Sequence, residues 1–446
     1  MWPRAPTAII VPSDVQDLEY VAPAHQFKQV PSSLGMASST LVPDTEALQR
    51  AAEVINAGEK VALLVGQGGR RARAQIERLV DITGAGAAKA LLGKDALPDD
   101  PPWVTGSIGL LGTRPSFEMM RECDTLLTIG SSFPYTQFLP ELDQARAVQI
   151  DVDPSMIGMR YPYEVNLVGD AAATLDALIP LLEHKPDRAW QDQICGNVAR
   201  WWQVMEAEAN VEAEPVNPMR IFHEFSRQAP LDALITADSG SAANWYARLI
   251  RMRGQMRGTL SGNLATMGPA VPYAIGAKFA HPDRPVIAFE GDGAMQMNGL
   301  AELVTIARYW KEWADPRLVV AVLHNNDLNQ VTWELRAMGG TPRFVESQAL
   351  PDSSYADFAA SIGLRAVTVT DPADLEEAWR TALAADRPTV LDVHCDPDVP
   401  PIPPHATLEE MTATAKALAK GDTSRWGVIK EGMRIKAQEL LGPSSS

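Results

Sequence analysis

Two short segments combine residue types suited to holding a metal-bound phosphate. Gly291-Asp292-Gly293-Ala294 follows the apolar run Val286 to Phe289, and Asn325-Asn326 follows the apolar run Leu318 to Leu323. Magnesium takes hard oxygen ligands and keeps phosphate oxygens in its shell. One aspartate, one asparagine oxygen and one main-chain carbonyl therefore suit an ion that carries a diphosphate. Flanking glycines let the backbone approach the phosphate closely. Taken singly, Gly-Asp-Gly is an ordinary turn and Asn-Asn an ordinary helix cap. Together, each ending an expected strand with an expected helix over Leu300 to Tyr309 between them, they imply neighbouring strands that deliver both oxygens to one edge.

The elements that must position these residues belong to the α/β class. From Asp44 to about Leu182, helical patterns alternate with apolar runs, clearest at Lys60 to Val65, Thr125 to Ile129 and Ala147 to Ile150. A second alternating region runs from about Asn217 to Val393, with strands expected at Ala233 to Thr236, Val286 to Phe289, Leu318 to Leu323 and Thr389 to Val393. This pattern predicts two doubly wound parallel-sheet domains, over 43–185 and 200–400, and a C-terminal helical tail over 401–446. In the first domain the strands end in Gly66-Gln67-Gly68-Gly69, Gly130-Ser131-Ser132 and Asp151-Val152-Asp153. Ligands sit at such carboxyl ends in open parallel sheets, although the first loop alone is plain turn chemistry. Ahead of both domains, Thr7 to Val11 reads as a short strand within a separate segment, 1–22, and 23–42 as a linker.

Composition narrows the class. A chain of 446 residues exceeds one hydrophobic core and implies two or three domains. Hydrophobic residues make up 46% and charged residues 21%, as in an ordinary globular protein. A formal net charge of -17 repels phosphate backbones, so nucleic acid is excluded as a partner. Cys123, Cys195 and Cys395 are far apart and lack metal-type spacing, which reads as small core residues in a reducing compartment. No apolar run approaches the length of a bilayer span, and the N-terminus lacks a signal pattern, so a cytoplasmic setting is expected.

The Gly-Asp-Gly to Asn-Asn arrangement resembles the thiamine-diphosphate motif, and the chain is similar to the pyruvate oxidase and acetolactate synthase group. That resemblance implies that Asp292, Asn326 and the carbonyl of Leu328 hold Mg2+. The interval between the two halves is several residues longer than in the family, with the excess expected at Lys311 to Arg317. Ala237-Asp238-Ser239-Gly240, before a helix bearing Asn244, resembles the first diphosphate loop, which assigns Asp238, Gly240 and Asn244 to the cofactor alongside Gly291, Gly293 and Ala294. Leu264 to Gly268 resembles the segment whose bulky side chain bends the cofactor, and Met267 is the matching residue. In the central domain Gly66, Gly68, Gly130, Ser131 and Phe133 match loops that meet the diphosphate of FAD in pyruvate oxidases. Asp151 or Asp153 would then accept a ribose hydroxyl. Glu334, at a helix start over the reacting carbon in relatives, is either a substrate contact or a surface carboxylate. His324, beside the asparagines, is either part of the site or a satisfied loop residue.

The resemblance implies an enzyme acting on a 2-oxo acid, pyruvate first, by oxidative decarboxylation. An acetolactate synthase-like carboligase is the alternative, and a nucleotide-holding subunit without catalysis is a third reading. Thiamine diphosphate, Mg2+ and FAD are the implied cofactors, and a homodimer or homotetramer the implied assembly. Family members carry a pyrimidine-binding domain whose glutamate activates the cofactor; Thr7 to Gln16 resembles its last strand, so that glutamate is expected before Met1. Trp426, Val428, Ile429, Met433 and Ile435, accompanied by Arg425, Lys430, Arg434 and Lys436, form a basic amphipathic pattern that either rests on the inner membrane or packs on its own domain.

Overall fold

The computed structural model describes residues 8–22, 40–401, 408–422, 424 and 427–429. Within them the apolar runs form buried strands, because a parallel strand covered by helices on both faces must be apolar on both. The first sheet contains β1 (Val61–Val65), β2 (Gly86–Lys89), β3 (Val104–Ser107), β4 (Thr125–Ile129), β5 (Arg146–Asp151) and β6 (Val165–Val168), in the order β3-β2-β1-β4-β5-β6. All its pairings are parallel. The second contains β7 (Leu234–Ala237), β8 (Arg257–Leu260), β9 (Val286–Gly291), β10 (Leu318–His324), β11 (Arg365–Val369) and β12 (Thr389–His394), in the order β11-β12-β10-β9-β7-β8, again all parallel. The chain is therefore two α/β units, joined through a helix of 21 residues, Ala189–Ala209.

Strand order dictates where a ligand can enter. In the first sheet the connections run outward in opposite directions from β1 and β4, and in the second from β7 and β9. A crevice opens at such a switch point, beyond the carboxyl ends of the two strands. Those ends carry Gly66 and Gly130 in one sheet, Asp238 and Asp292 in the other.

The two units share a polar seam. Lys89 Nζ lies 2.6 Å from Asp99 Oδ1, and both side chains are buried. Asp99 Oδ2 accepts the N–H of Met252 at 2.7 Å, and Asp99 N–H donates to the Met252 carbonyl at 2.7 Å. Lys94 Nζ donates to the carbonyl of Ala247 at 3.0 Å, and its burial lowers its pKa to about 8.

Three expectations outside the two units meet the structure differently. Residues 8–12 form no strand: Ile9 and Ile10 are 85% and 89% exposed, and a short helix, Ser13–Gln16, follows. Among the described residues no neighbouring strand satisfies that backbone, and a strand without a partner does not persist. The helix Leu408–Ala419 packs against the helix Asn329–Gly339, and Asp422 accepts two 2.9 Å bonds from Arg336. Of the basic amphipathic pattern, Val428 is buried, while Arg425, Trp426, Lys430, Met433, Arg434, Ile435 and Lys436 lie outside the described residues. No helix among the described residues is long and apolar enough to cross a membrane.

Candidate functional site

β9 and β10 pair with Leu323 opposite Gly291, so the residues that follow them emerge side by side. The helix that follows β9 begins at Asp292 and continues, through a π-helical turn over Met295–Gly299, to Tyr309. Asp292 is buried, yet its carboxylate is held by main-chain donors. Oδ1 accepts the N–H of Gly293 at 2.8 Å, and Oδ2 accepts those of Asn325 at 2.8 Å and Asn326 at 2.5 Å. Burial pushes its pKa up to about 6, against the pull of those donors and of His324. Among the described residues no lysine or arginine pairs with it. A carboxylate fixed in an apolar setting with no basic partner is what a cation would complete.

Asn326 adopts a left-handed backbone, φ +54°, which asparagine tolerates better than most residues. Its carbonyl accepts the N–H of Leu350 at 3.0 Å. Asp292, the Asn326 amide oxygen and the Leu328 carbonyl, which accepts the N–H of Thr332 at 3.1 Å, make an all-oxygen donor set, which fits Mg2+.

A phosphate-sized space adjoins this set. Helices Ser241–Leu249 and Asp292–Tyr309 both start at a glycine, Gly240 and Gly291, with no side-chain cap. A Cβ added at either would meet only Asp238 Oδ2, at 3.6 and 3.5 Å, so the space before both helix starts is open. Helix N-termini with free N–H groups favour anions. Asp238, at the end of β7, braces the arrangement: its Oδ1 accepts the N–H of Gly268 at 2.9 Å, and burial raises its pKa against the N–H groups of Gly268, Ser239, Gly291 and Gly240. Met267, 36% exposed, hangs over Gly293, where an added Cβ would come within 3.0 Å of its Cε. Ala294 is buried behind them.

The sequence pairs extra length with Lys311 to Arg317. There the chain makes a short 3-10 turn, Trp310–Glu312, buries Trp313 and ties Asp315 to Lys278, whose Nζ donates to the Asp315 carbonyl at 2.6 Å. β10 begins at Leu318, at the opposite end from Asn325, so the added loop leaves the oxygen set undisturbed.

Between the two sheets lies a cleft of 2480 Å³. Gly68, Gly130, Ser131, Phe133 and Asp151 form one wall; Ser239, Asn244, Gln330 and Glu334 belong to the other. Gly66 and Asp153 do not line the cleft, and Asp153 is exposed. Gly66 N–H donates to Ile129 O at 2.9 Å and Gly68 N–H to Gly130 O at 3.0 Å, so these glycines serve the close approach of two loops. Asp153 caps the turn Pro154–Met156 through the N–H of Ser155 at 2.9 Å. Asn244 is buried, and its Nδ2 donates to Gln330 Oε1 at 2.7 Å; Gln330 Nε2 in turn donates to Glu334 Oε1 at 2.9 Å. Glu334 is thus a surface carboxylate on the cleft wall, aimed by Gln330.

Two residues near the oxygen set, Tyr355 and Asp392, carry no sequence signal, and a third, His324, stands beside the asparagines that marked it in the sequence. Tyr355 is buried and its hydroxyl donates to the Asp292 carbonyl at 3.1 Å. Asp392 and His324 are joined at 2.8 Å. Asp392 sits inside an apolar strand, where nothing but tertiary pairing brings it to the site.

Comparisons with known proteins place both α/β units in one family. Residues 238–393 match the family described as thiamine pyrophosphate enzyme, C-terminal TPP binding domain, and residues 48–178 match the thiamine pyrophosphate enzyme central domain. The chain is 33% identical over 380 residues to the putative thiamine pyrophosphate-containing protein YdaP of Bacillus subtilis, covering 85% of this chain and 64% of that protein. It is 29% identical to the probable acetolactate synthase large subunit of Methanococcus aeolicus, over 90% of this chain and 69% of that protein. The corresponding protein of Methanocaldococcus jannaschii is 28% identical, over 96% and 73% respectively.

Proposed function

The chain belongs to the thiamine pyrophosphate enzymes, and on that premise we propose that it serves oxidative decarboxylation of a 2-oxo acid, pyruvate first, with thiamine diphosphate, Mg2+ and FAD. One observation carries the reading: Asp292 Oδ2 touches the N–H groups of both Asn325 and Asn326, at two adjacent strand tips beside glycine-started helices. Asp292, Asn326 and the Leu328 carbonyl would hold the ion. The open space before Gly240 and Gly291 would take the phosphates, and Met267 would press on the organic part. Bound there, thiamine diphosphate supplies the sink for the electrons released when carbon dioxide leaves a 2-oxo acid. The cleft wall at Gly68, Gly130, Ser131, Phe133 and Asp151 suits a long dinucleotide, with Asp151 facing a ribose hydroxyl. FAD, bound there, would supply a two-electron acceptor.

The names of the methanococcal relatives favour a second reading, a carboligase that joins two pyruvates into acetolactate with loss of one carbon dioxide. The products separate the two. The protein produced from its complete gene is given both cofactors, Mg2+ and pyruvate without oxygen. Oxidation converts pyruvate and water into acetate and carbon dioxide while the flavin bleaches; acetolactate with the flavin still yellow favours the carboligase. Absence of Mg2+-dependent thiamine diphosphate uptake would overturn both.

The open space before Gly291 yields a sharper expectation. Gly291→Ala adds a methyl that meets no native atom closer than 3.5 Å, and its φ of -77° suits alanine, so folding stability should stay within about 0.5 kcal/mol of the parent. That methyl enters the space assigned to phosphate, and calorimetry should register thiamine diphosphate binding weakened by roughly tenfold or more, about 1.4 kcal/mol.

We also propose self-association. Tyr273 and Phe279, on the helix Ala270–Ala280, and Met297 and Val304, on the helix after β9, are 41%, 52%, 61% and 51% exposed. Apolar side chains grouped on adjoining helices mark an interaction face. Sedimentation should show a mass of at least two chains, reduced by Phe279→Glu.

A further inference from the structure

We propose that His324 is a positioning residue that fixes the amide of Asn326 for the ion, and that Asp392 fixes His324 in turn. The inference rests on the magnesium reading of Asp292 and Asn326.

β10 pairs with β12 so that Val322 stands opposite Asp392 and His324 opposite His394. Asp392 is buried and its Oδ2 accepts two N–H groups, from Tyr355 at 3.0 Å and Ala356 at 3.2 Å, at the start of the helix Tyr355–Ser361. Its carboxylate plane is therefore set by the main chain. Asp392 Oδ1 lies 2.8 Å from His324 Nδ1 and only accepts, so that nitrogen donates; Nε2 faces oxygens that also accept, so both ring nitrogens carry a hydrogen. The other edge of the ring points at the site, with Nε2 2.9 Å from Asn326 Oδ1 and 3.1 Å from Asp352 Oδ1. His394 stacks on the ring at 4.1 Å, and Tyr355 meets it edge-on at 5.0 Å. The imidazole has no freedom to turn.

Asn326 has one freedom left. Its N–H is held by Asp292 Oδ2, its carbonyl by the N–H of Leu350, and its φ is set at +54°. Only the side-chain torsions remain, and the His324 edge arrests them. A ligand whose rotation is frozen beforehand loses less entropy when an ion arrives, and outer partners of metal ligands are typically worth 10–100-fold in affinity. Tyr355 ties the two halves together, since its N–H holds Asp392 while its hydroxyl holds the Asp292 carbonyl.

The test is titration calorimetry of Mg2+ into the full chain saturated with thiamine diphosphate, with the melting temperature of the metal-free protein recorded beside it. His324→Phe keeps the ring contacts and removes the hydrogen bond. It should weaken Mg2+ roughly tenfold or more at a temperature where the metal-free variant is still folded, with the melting temperature lowered because buried Asp392 Oδ1 loses its partner, and His324→Gln should recover part of both losses. His394→Phe, which touches the ring only by stacking, should bind Mg2+ as the parent does. In an Asn326→Ala background, His324→Phe should add no further loss. Parent-like Mg2+ affinity in both His324 variants, or a full additional loss on top of Asn326→Ala, would overturn the inference. Asp292→Asn separates it from the reading beneath it. If Asp292→Asn leaves Mg2+ affinity unchanged, the metal site itself is wrong; if Asp292→Asn abolishes binding and His324→Phe does nothing, only the positioning role falls.

Discussion

Asp292→Asn is expected to lower Mg2+-dependent thiamine diphosphate affinity by on the order of a hundredfold or more, since even the outer neighbours of metal ligands are worth 10–100-fold. The substitution is mild to the fold. It retains one oxygen for the N–H groups of Asn325 and Asn326 and forfeits the bond from Gly293, which costs about 1 kcal/mol. What it removes is the negative charge. pH tests the same point without a mutation. With a pKa of about 6, the Asp292 carboxyl of the parent must lose a proton to take the ion, so affinity should fall about tenfold per pH unit below 6. The asparagine variant should lack that slope. The sign for stability is the reverse. The pKa is raised above its ordinary 3.8, so the metal-free fold is favoured below pH 3.8 and loses that advantage as pH rises through 6. The gap is on the order of 3 kcal/mol, and Mg2+ should offset it at neutral pH, visible as a metal-dependent rise in melting temperature.

Asp99→Ala is expected to destabilise the chain by about 3–5 kcal/mol, read from denaturant unfolding. The loss comes from what stays behind. Lys89 is fully buried and keeps only the Leu97 carbonyl, at 3.0 Å, and Lys94 loses the carboxylate that opposes its desolvation. Met252 N–H also loses its acceptor. Asp99→Asn, which keeps an oxygen for Met252, should cost less. Asp99 is held below the ordinary carboxylate range by Lys89 and Lys94 in spite of its burial. Its contribution is present above pH 3.8 and lost as pH falls through its lowered value, so the parent and Asp99→Ala should converge in stability under strong acid.

The chemistry at the β9 and β10 tips was legible because each half is contiguous in sequence and follows an unbroken apolar run. The same holds for β1, β4, β5, β7 and β12, whose apolar stretches stand out from their flanks. β2, β3 and β8 escape such a reading. Gly-Ala-Ala-Lys, Val-Thr-Gly-Ser and Arg-Gly-Thr-Leu are four residues each, with little apolar mass, and become strands only through register with their neighbours. β6 is a short edge strand, and β11 is an edge strand with exposed positions. At Thr7 to Val11 the error runs the other way, since apolar composition there finds no partner among the described residues. The supports around the oxygen set were invisible for a related reason. Tyr355 reaches Asp292 across 63 positions of chain and Asp392 reaches His324 across 68, and no local spacing encodes those meetings. Gly66 and Asp153 show the limit of motif transfer, because a loop glycine can serve another loop and a strand-end aspartate can serve its own turn.

The seam around Lys94 and Asp99 bears on how such a protein can be recombined. A graft that exchanged the second α/β unit for a relative's would have to present main-chain groups in the places of Ala247 and Met252, or leave Lys94 and Asp99 buried without those partners. With these contacts across the seam, heating should separate neither unit from the other before both are lost: a scanning calorimeter should trace a single peak.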